Sequence, residues 1–397
     1  MEHTFSGLGI EQETLERLSG LGITEPTPVQ EKVIPMIASG DNLMFQSETG
    51  TGKTFAYLLP LLRKLKAEEN PQRNVRILIA SPTYELASQI KIQAQAVSRV
   101  KCALCIGGAP ISRQIEALRE KPEIVVGGPS RILELIHLKK LKADHVEVLV
   151  LDEADRLLSK ELRESTQLLM ERLPASVQII GNSATVSEYT RAALEKARGR
   201  ILSQEDADES ASENDARAIK LVTMPQSDVL REKIEHWAIF AERRQKIDTL
   251  RSFIHAAKPE KLLVFTGRKD QVEIITGKLL YKKIDCMGLS AGTDKVLRKS
   301  AIDRFRSGKL KVLVTTDLAS RGLDIPGISH VVQMDLPSEK DFFIHRAGRT
   351  ARAGKTGVNC VIGDEFEMRS YAALEKQLGI KVHPKEIRSG KITEPLL

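Results

Sequence analysis

Cysteine is scarce: Cys102, Cys105, Cys286 and Cys360 are the four in 397 residues. So few thiols do not make the disulfide framework of a small secreted scaffold. Cys102 and Cys105 have the spacing of half a zinc site, but no second Cys or His pair follows, and they lie in an apolar, strand-like run before Gly107-Gly108. They read as buried thiols. Also missing is any apolar segment approaching the length of a membrane span. The N-terminal stretch, with Glu2, Glu11 and Glu13, has no signal-type apolar core. These absences argue against secreted and membrane classes and lead to the expectation of a cytoplasmic protein.

What is present is an ordinary folded composition, 41% hydrophobic and 28% charged. The length suits two domains, each with a full core. The net charge of +7 suits a polyanionic partner, but a solvated basic surface explains so small an excess almost as well.

The most informative stretch is Phe45-Gln46-Ser47-Glu48-Thr49-Gly50-Thr51-Gly52-Lys53-Thr54. Apolar Leu43, Met44 and Phe45 end a strand, a glycine-rich turn follows, and Lys53-Thr54 lead into a helical pattern of Ala56, Leu58, Leu59 and Leu62. Gly50 and Gly52 let backbone N–H groups close around phosphate oxygens, and the helix adds its partly positive N-terminus. Lys53 would reach the β- and γ-phosphates of ATP, and Thr54 would hold Mg²⁺. Ser47 stands where the usual pattern has its first glycine; a small residue suffices there.

Before this loop, residues 1–30 read as an amphipathic helix bearing Leu15, Leu18 and Leu21, then a rigid turn at Glu25-Pro26-Thr27-Pro28. The Gln30 amide offers a donor and an acceptor together, which can match one edge of adenine. Taken alone, Gln30 reads as a helix-surface residue and Phe5 as core. After the loop, β-rich runs at 75–80, 102–106, 124–126, 146–151 and 178–180 alternate with helical stretches. This is the pattern of a parallel sheet covered on both faces, whose ligands bind at the carboxyl ends of the strands. Near residue 201 the pattern stops, and Glu205, Asp206, Asp208, Glu209, Glu213 and Asp215 follow among Ser and Ala. Residues 205–219 are expected to be a flexible acidic linker between a domain at 1–204 and one at 220–397. The second domain repeats the alternation, with strands expected at 262–266, 311–315, 330–334 and 358–362 and a helix at 296–305. It has no phosphate loop, so one nucleotide site is expected. The stretch 381–397 is short and carries no low-complexity sequence.

Val148-Leu149-Val150-Leu151 run straight into Asp152-Glu153-Ala154-Asp155. Carboxylates at the end of a buried strand, downstream of a phosphate loop, suit a nucleotide-bound Mg²⁺, with Asp152 as ligand and Glu153 as the base that orients and deprotonates the attacking water. A helix start whose carboxylates favour the dipole explains Asp155 but accounts poorly for the other two.

With these motifs in this order, the chain resembles the DEAD-box family of ATP-dependent RNA helicases from about residue 5 to residue 395. The resemblance implies an α/β fold of two tandem RecA-like domains, with ATP and RNA bound in the cleft between them. It implies that Phe5 stacks on adenine and that Gly22 through Gln30 form the Q motif. It implies that Asp155, Ser183-Ala184-Thr185, His345 and Arg346 couple the ATP state to strand separation. Asp324 would meet the ribose, and Arg349 and Arg352 would be arginine fingers. A γ-phosphoryl group in transit spreads negative charge over its oxygens, which arginines from a separate domain stabilise only on closure. Arg346, Arg349 and Arg352, three apart, are expected on one helix face directed at a ligand.

On the RNA side, Pro82, Thr83, Gly108, Pro129, Arg131, Arg298, Thr316 and Asp317 lie where the family grips phosphates and 2′-hydroxyls, a mode that reads shape rather than sequence. Several positions depart from the family pattern. Tyr84 stands for an arginine, Gly128 for a threonine, Ser130 for a glycine, Lys295 for a glutamine, and Ala351 for a glycine between the expected fingers. Hydrolysis is therefore expected to be ordinary and RNA grip altered. An ATP-gated RNA clamp and a DNA-directed helicase of the same superfamily are the alternatives.

Overall fold

Ile77-Leu78-Ile79-Ala80 is buried at every position, and its side chains alternate between two cores. Ile77 and Ile79 join one cluster and Leu78 and Ala80 the other, as the two-residue period of a strand requires. Strands of this kind need helices on both faces. The computed structural model describes residues 4–47, 51–67, 74–183, 188–203, 218–224, 229–290, 292–320, 325–351 and 355–395, and the chain divides into two compact units, Met1–Gln226 and Ser227–Leu397.

The first unit holds β1 (Leu43–Gln46), β2 (Ile77–Ala80), β3 (Cys102–Cys105), β4 (Ile124–Gly127), β5 (Val148–Asp152), β6 (Gln178–Ser183) and β7 (Lys220–Thr223). They form one parallel sheet in the order β3-β4-β2-β5-β6-β1-β7. The second unit holds β8 (Ile234–Phe240), β9 (Leu262–Phe265), β10 (Cys286–Leu289), β11 (Val312–Thr315), β12 (His330–Gln333), β13 (Gly357–Gly363) and β14 (Val382–Pro384). Their order, β10-β11-β9-β12-β13-β8-β14, is again parallel throughout and repeats the first. An antiparallel pair, β15 (Glu386–Arg388) and β16 (Lys391–Thr393), sets Ile387 and Ile392 against one core of this unit.

Two sequence expectations change. The strand β7 pairs with β1, with Val222 opposite Phe45, so the first unit extends past the expected boundary at residue 219; most of the acidic stretch lies outside the described residues. The expected long N-terminal helix is a shorter one, Gln12–Gly20, and Pro28 opens a second, Pro28–Ala38, that contains Gln30. Proline at the first helical position loses no hydrogen bond. Cys102 and Cys105 sit three apart on β3 and enter opposite cores. Burial pushes both thiols up to about 12.

The two units diverge where the phosphate loop would repeat. After β1 the helix Lys53–Ala67 begins at Lys53; after β8 the helix Lys246–Ala257 begins at Lys246. The buried Lys246 ammonium is spent internally, on the Met334 carbonyl at 2.8 Å and the Glu367 carboxylate.

Candidate active site

The loop after β1 is held from below by the start of the helix Pro28–Ala38. Thr27 Oγ1 donates to the Thr51 carbonyl at 2.7 Å, and Gln30 Nε2 to the Gly52 carbonyl at 3.0 Å. Gln30 Oε1 accepts from the Thr27 amide at 2.9 Å. Gln30 is thus 2% exposed, not on the surface, and both ends of the amide expected on adenine engage the protein. Gly52 has φ +86°, a conformation that favours glycine, and a Cβ there would come within 2.4 Å of Gln30 Nε2 and push aside the amide that holds the loop. Ser47 Oγ and Thr51 Oγ1 are 2.6 Å apart, and Lys53 Nζ donates to the Ser47 carbonyl at 2.6 Å. The Ser47 amide donates to the Ser183 carbonyl at 3.0 Å, which joins the loop to the end of β6. Glu48, Thr49, Gly50 and Thr185 lie outside the described residues.

The sheet order sets β5 beside β6 and β6 beside β1, so Asp152, Ser183 and the phosphate loop share one edge. Asp152 is 4% exposed, and Tyr57 Oη donates to its Oδ2 at 2.7 Å. Burial pushes the Asp152 carboxyl up; the Tyr57 hydrogen bond, the Lys53 charge and the Asn182 amide oppose it. Glu153 follows with φ +56° and ψ +57°, a left-handed conformation that costs a residue bearing a Cβ roughly 1–3 kcal/mol and gathers at functional sites. Asp155 lies in the first turn of the short helix Ala154–Leu157. Phe5 is 2% exposed within the core. Its ring packs among the apolar residues of that cluster, as Phe5 taken alone suggests. Tyr57 and Asn182 were not singled out in the sequence, although each puts a polar group into an otherwise apolar run.

The expected RNA residues of this unit gather on the other half of the sheet. Pro82 and Thr83 follow β2, Gly108 follows β3, and Pro129 and Arg131 follow β4, the three strands being adjacent. Thr83 caps the helix Tyr84–Val97, its Oγ1 accepting from Leu86 N at 3.3 Å. Arg131 Nη1 donates to the Ala109 carbonyl at 3.0 Å and its Nε pairs with Glu134 at 2.9 Å. In the second unit, Arg298 Nη2 reaches the Ala319 carbonyl at 2.9 Å, joining the helix after β10 to the segment after β11. Thr316 Oγ1 accepts from Ala319 N at 3.4 Å.

The second unit overturns the expected arginine face. The helix Lys340–Ala347 ends at Gly348, one residue before Arg349. Arg346 points inward, 2% exposed, with Nε and Nη2 each 2.7 Å from an oxygen of Asp317 and Nη1 2.7 Å from the Asp335 carbonyl. The Asp317 carboxylate, expected at RNA, is occupied by this pair. Its negative charge favours that partner over a phosphate. His345 is half-buried on the same helix. Arg349 lines a cavity of about 400 Å³ with Glu260, Ser329 and Lys355. Asp324 and Arg352 lie outside the described residues.

The DEAD/DEAH box helicase family matches residues 27–193, and the helicase conserved C-terminal domain matches residues 245–354. The ATP-dependent RNA helicase CshA of Listeria monocytogenes is 34% identical over 383 residues, 96% of this chain and 70% of that protein. The DEAD-box ATP-dependent RNA helicase CshC of Bacillus cereus is 36% identical over 377 residues, 94% of this chain and 91% of that protein. S. cerevisiae Dbp5 bound to RNA and ADP BeF3 superposes with a TM-score of 0.81 at 25% identity, covering 96% of this chain and 95% of that one. Among the described residues, no helix is long and apolar enough to cross a membrane. Two repeated seven-stranded parallel sheets, a phosphate loop beside Asp152-Glu153 and these likenesses agree, and the chain belongs to the DEAD-box family of ATP-dependent RNA helicases.

Proposed function

We propose that this helicase binds RNA without regard to sequence and opens short duplexes locally, with ATP bound on the loop after β1 and the reaction completed by groups of the second unit. The observation that carries the reading is the convergence of Lys53, Thr54, Asp152, Glu153 and Ser183 at the carboxyl ends of three neighbouring strands. In such sheets this is where ligands bind. Lys53 takes the β- and γ-phosphates, and backbone N–H groups of the loop hold their oxygens. Glu153 orients the attacking water and takes its proton, and Arg349 stabilises charge on the γ-phosphoryl oxygens when the second unit closes on the nucleotide.

The site also fits Mg²⁺. Thr54 and Asp152 are oxygen donors of the kind that cation takes, and the fully buried Asn182 amide beside Asp152 has neither its nitrogen nor its oxygen in a hydrogen bond of normal geometry. When bound there, the cation neutralises charge on the β- and γ-phosphate oxygens.

RNA is gripped along β3, β4 and β2 of the first unit and beside β10 and β11 of the second. Backbone contacts of this kind carry no sequence information. ATP and RNA each favour closure, so each strengthens the other's binding. Unwinding of a short RNA duplex, assayed with ATP and then with a non-hydrolysable analogue, tests this. Strand separation that needs ATP and survives permutation of the duplex sequence is expected. Binding without separation would favour a clamp instead.

A further inference from the structure

Two buried polar side chains at this edge, Tyr57 and Asn182, neither ligate the cation nor touch the reacting atoms. Tyr57 stands on the helix Lys53–Ala67 one turn beyond Thr54, with no exposed surface. Its hydroxyl donates to Asp152 Oδ2 at 2.7 Å. Asn182 is the register partner of Asp152 on β6, fully buried, with its other register partner Phe45 on β1. Neither atom of its amide makes a hydrogen bond of normal geometry.

The surroundings are apolar: Phe45, Ala56, Leu58, Leu59 and Leu62 are buried near these positions in sequence. A phenol and an amide are costly to bury there unless they serve a polar neighbour. Packing alone would be served better by phenylalanine and leucine. The polar neighbour they share is Asp152.

We propose that Tyr57 and Asn182 are positioning residues that preset the orientation of Asp152, and so set the affinity of the site for the divalent cation that accompanies the nucleotide. The proposal rests on the assignment of Thr54 and Asp152 as the cation's ligands. Tyr57 engages one carboxylate oxygen and leaves the other to face the cation or its water. Asn182, beside Asp152 in register across the sheet, offers a buried donor and acceptor, neither in a hydrogen bond of normal geometry, to a water of the cation's shell. Groups that hydrogen-bond a ligating carboxylate fix its orientation, and removing one typically costs about tenfold or more in metal affinity.

The test uses the full chain with Tyr57→Phe and, separately, Asn182→Leu. A fluorescent ADP analogue is held at fixed concentration and titrated with Mg²⁺, and the same analogue is titrated in EDTA. Thermal unfolding is followed in parallel. For Tyr57→Phe the account expects the Mg²⁺ concentration at half-effect to rise about tenfold, with nucleotide affinity in EDTA unchanged. For Asn182→Leu it expects a rise in the same direction together with a melting temperature equal to or above the parent's. A Tyr57→Phe protein with the parent's Mg²⁺ dependence, or one whose affinity falls equally in EDTA, would overturn the proposal and leave Tyr57 a packing residue. A parent whose nucleotide binding ignores Mg²⁺ would instead overturn the ligand assignment itself.

Discussion

The Arg346 guanidinium lies bidentate on the Asp317 carboxylate, Nε to Oδ1 and Nη2 to Oδ2, both at 2.7 Å. Asp317 opens the segment after β11, and Arg346 sits near the end of the helix Lys340–Ala347. The pair therefore ties two motifs of the second unit to each other, and the Asp335 carbonyl after β12 to both. Arg346→Ala removes a buried guanidinium that holds the half-buried Asp317 carboxylate and the Asp335 carbonyl, which is expected to destabilise this unit by about 2–3 kcal/mol. Arg346→Lys should recover little, since a point charge cannot reproduce the fork. Trp237, the single tryptophan, belongs to this unit and packs edge-on against Phe253, so its fluorescence during denaturant unfolding reads the loss.

Gln30 holds the Gly52 carbonyl as well as the Thr27 amide. Gln30→Ala frees the loop whatever base is bound, so binding of both ATP and GTP is expected to weaken, ATP by about tenfold, the worth of one or two buried hydrogen bonds. Equilibrium titration with each nucleotide decides the matter. Unchanged GTP binding would confine Gln30 to adenine.

His236 is buried, its Nε2–H donating to the Leu230 carbonyl at 2.7 Å and its Nδ1 accepting from Asn359 at 3.2 Å. Burial lowers its pKa to about 4, opposed by the Leu230 hydrogen bond. A histidine near 6.5 when unfolded and 4 when folded contributes stability that is complete above pH 6.5 and is lost as pH falls through 4, about 3 kcal/mol in all. The Trp237 unfolding midpoint is expected to decline from pH 6.5 toward pH 4, and more shallowly in His236→Gln.

Tyr84 is 55% exposed and begins the helix after β2, beside the expected RNA contacts Pro82 and Thr83. If its departure from arginine removes one phosphate contact, Tyr84→Arg should tighten RNA binding and steepen the dependence of log affinity on log salt by about 1. Titrations at several salt concentrations measure both. Parent-like affinity and slope would show that no contact was lost there.

The continuous apolar strands were legible because burial on both faces leaves no polar position to disguise them; β2, β4 and β5 are examples. The phosphate loop and Asp152-Glu153 were legible because their chemistry is local in sequence. By contrast, β8 mixes Glu235, His236 and Trp237, and His236 is buried only because Leu230 and Asn359 receive it. The strand β7 follows an acidic stretch and is defined by β1, far away in sequence. The inward turn of Arg346 could not be read from a three-residue spacing, since its partners Asp317 and Asp335 come from other elements. Ala351 shows the same limit. It keeps φ +55° where the family has glycine, and its methyl is buried.

The most direct test is steady-state ATP hydrolysis by the parent and Glu153→Gln, each without polymer, with RNA and with single-stranded DNA. The account predicts strong stimulation of the parent by RNA alone and a loss of at least about a hundredfold in Glu153→Gln, the scale of a general base. Hydrolysis that ignores RNA, responds equally to DNA, or survives in Glu153→Gln would contradict it.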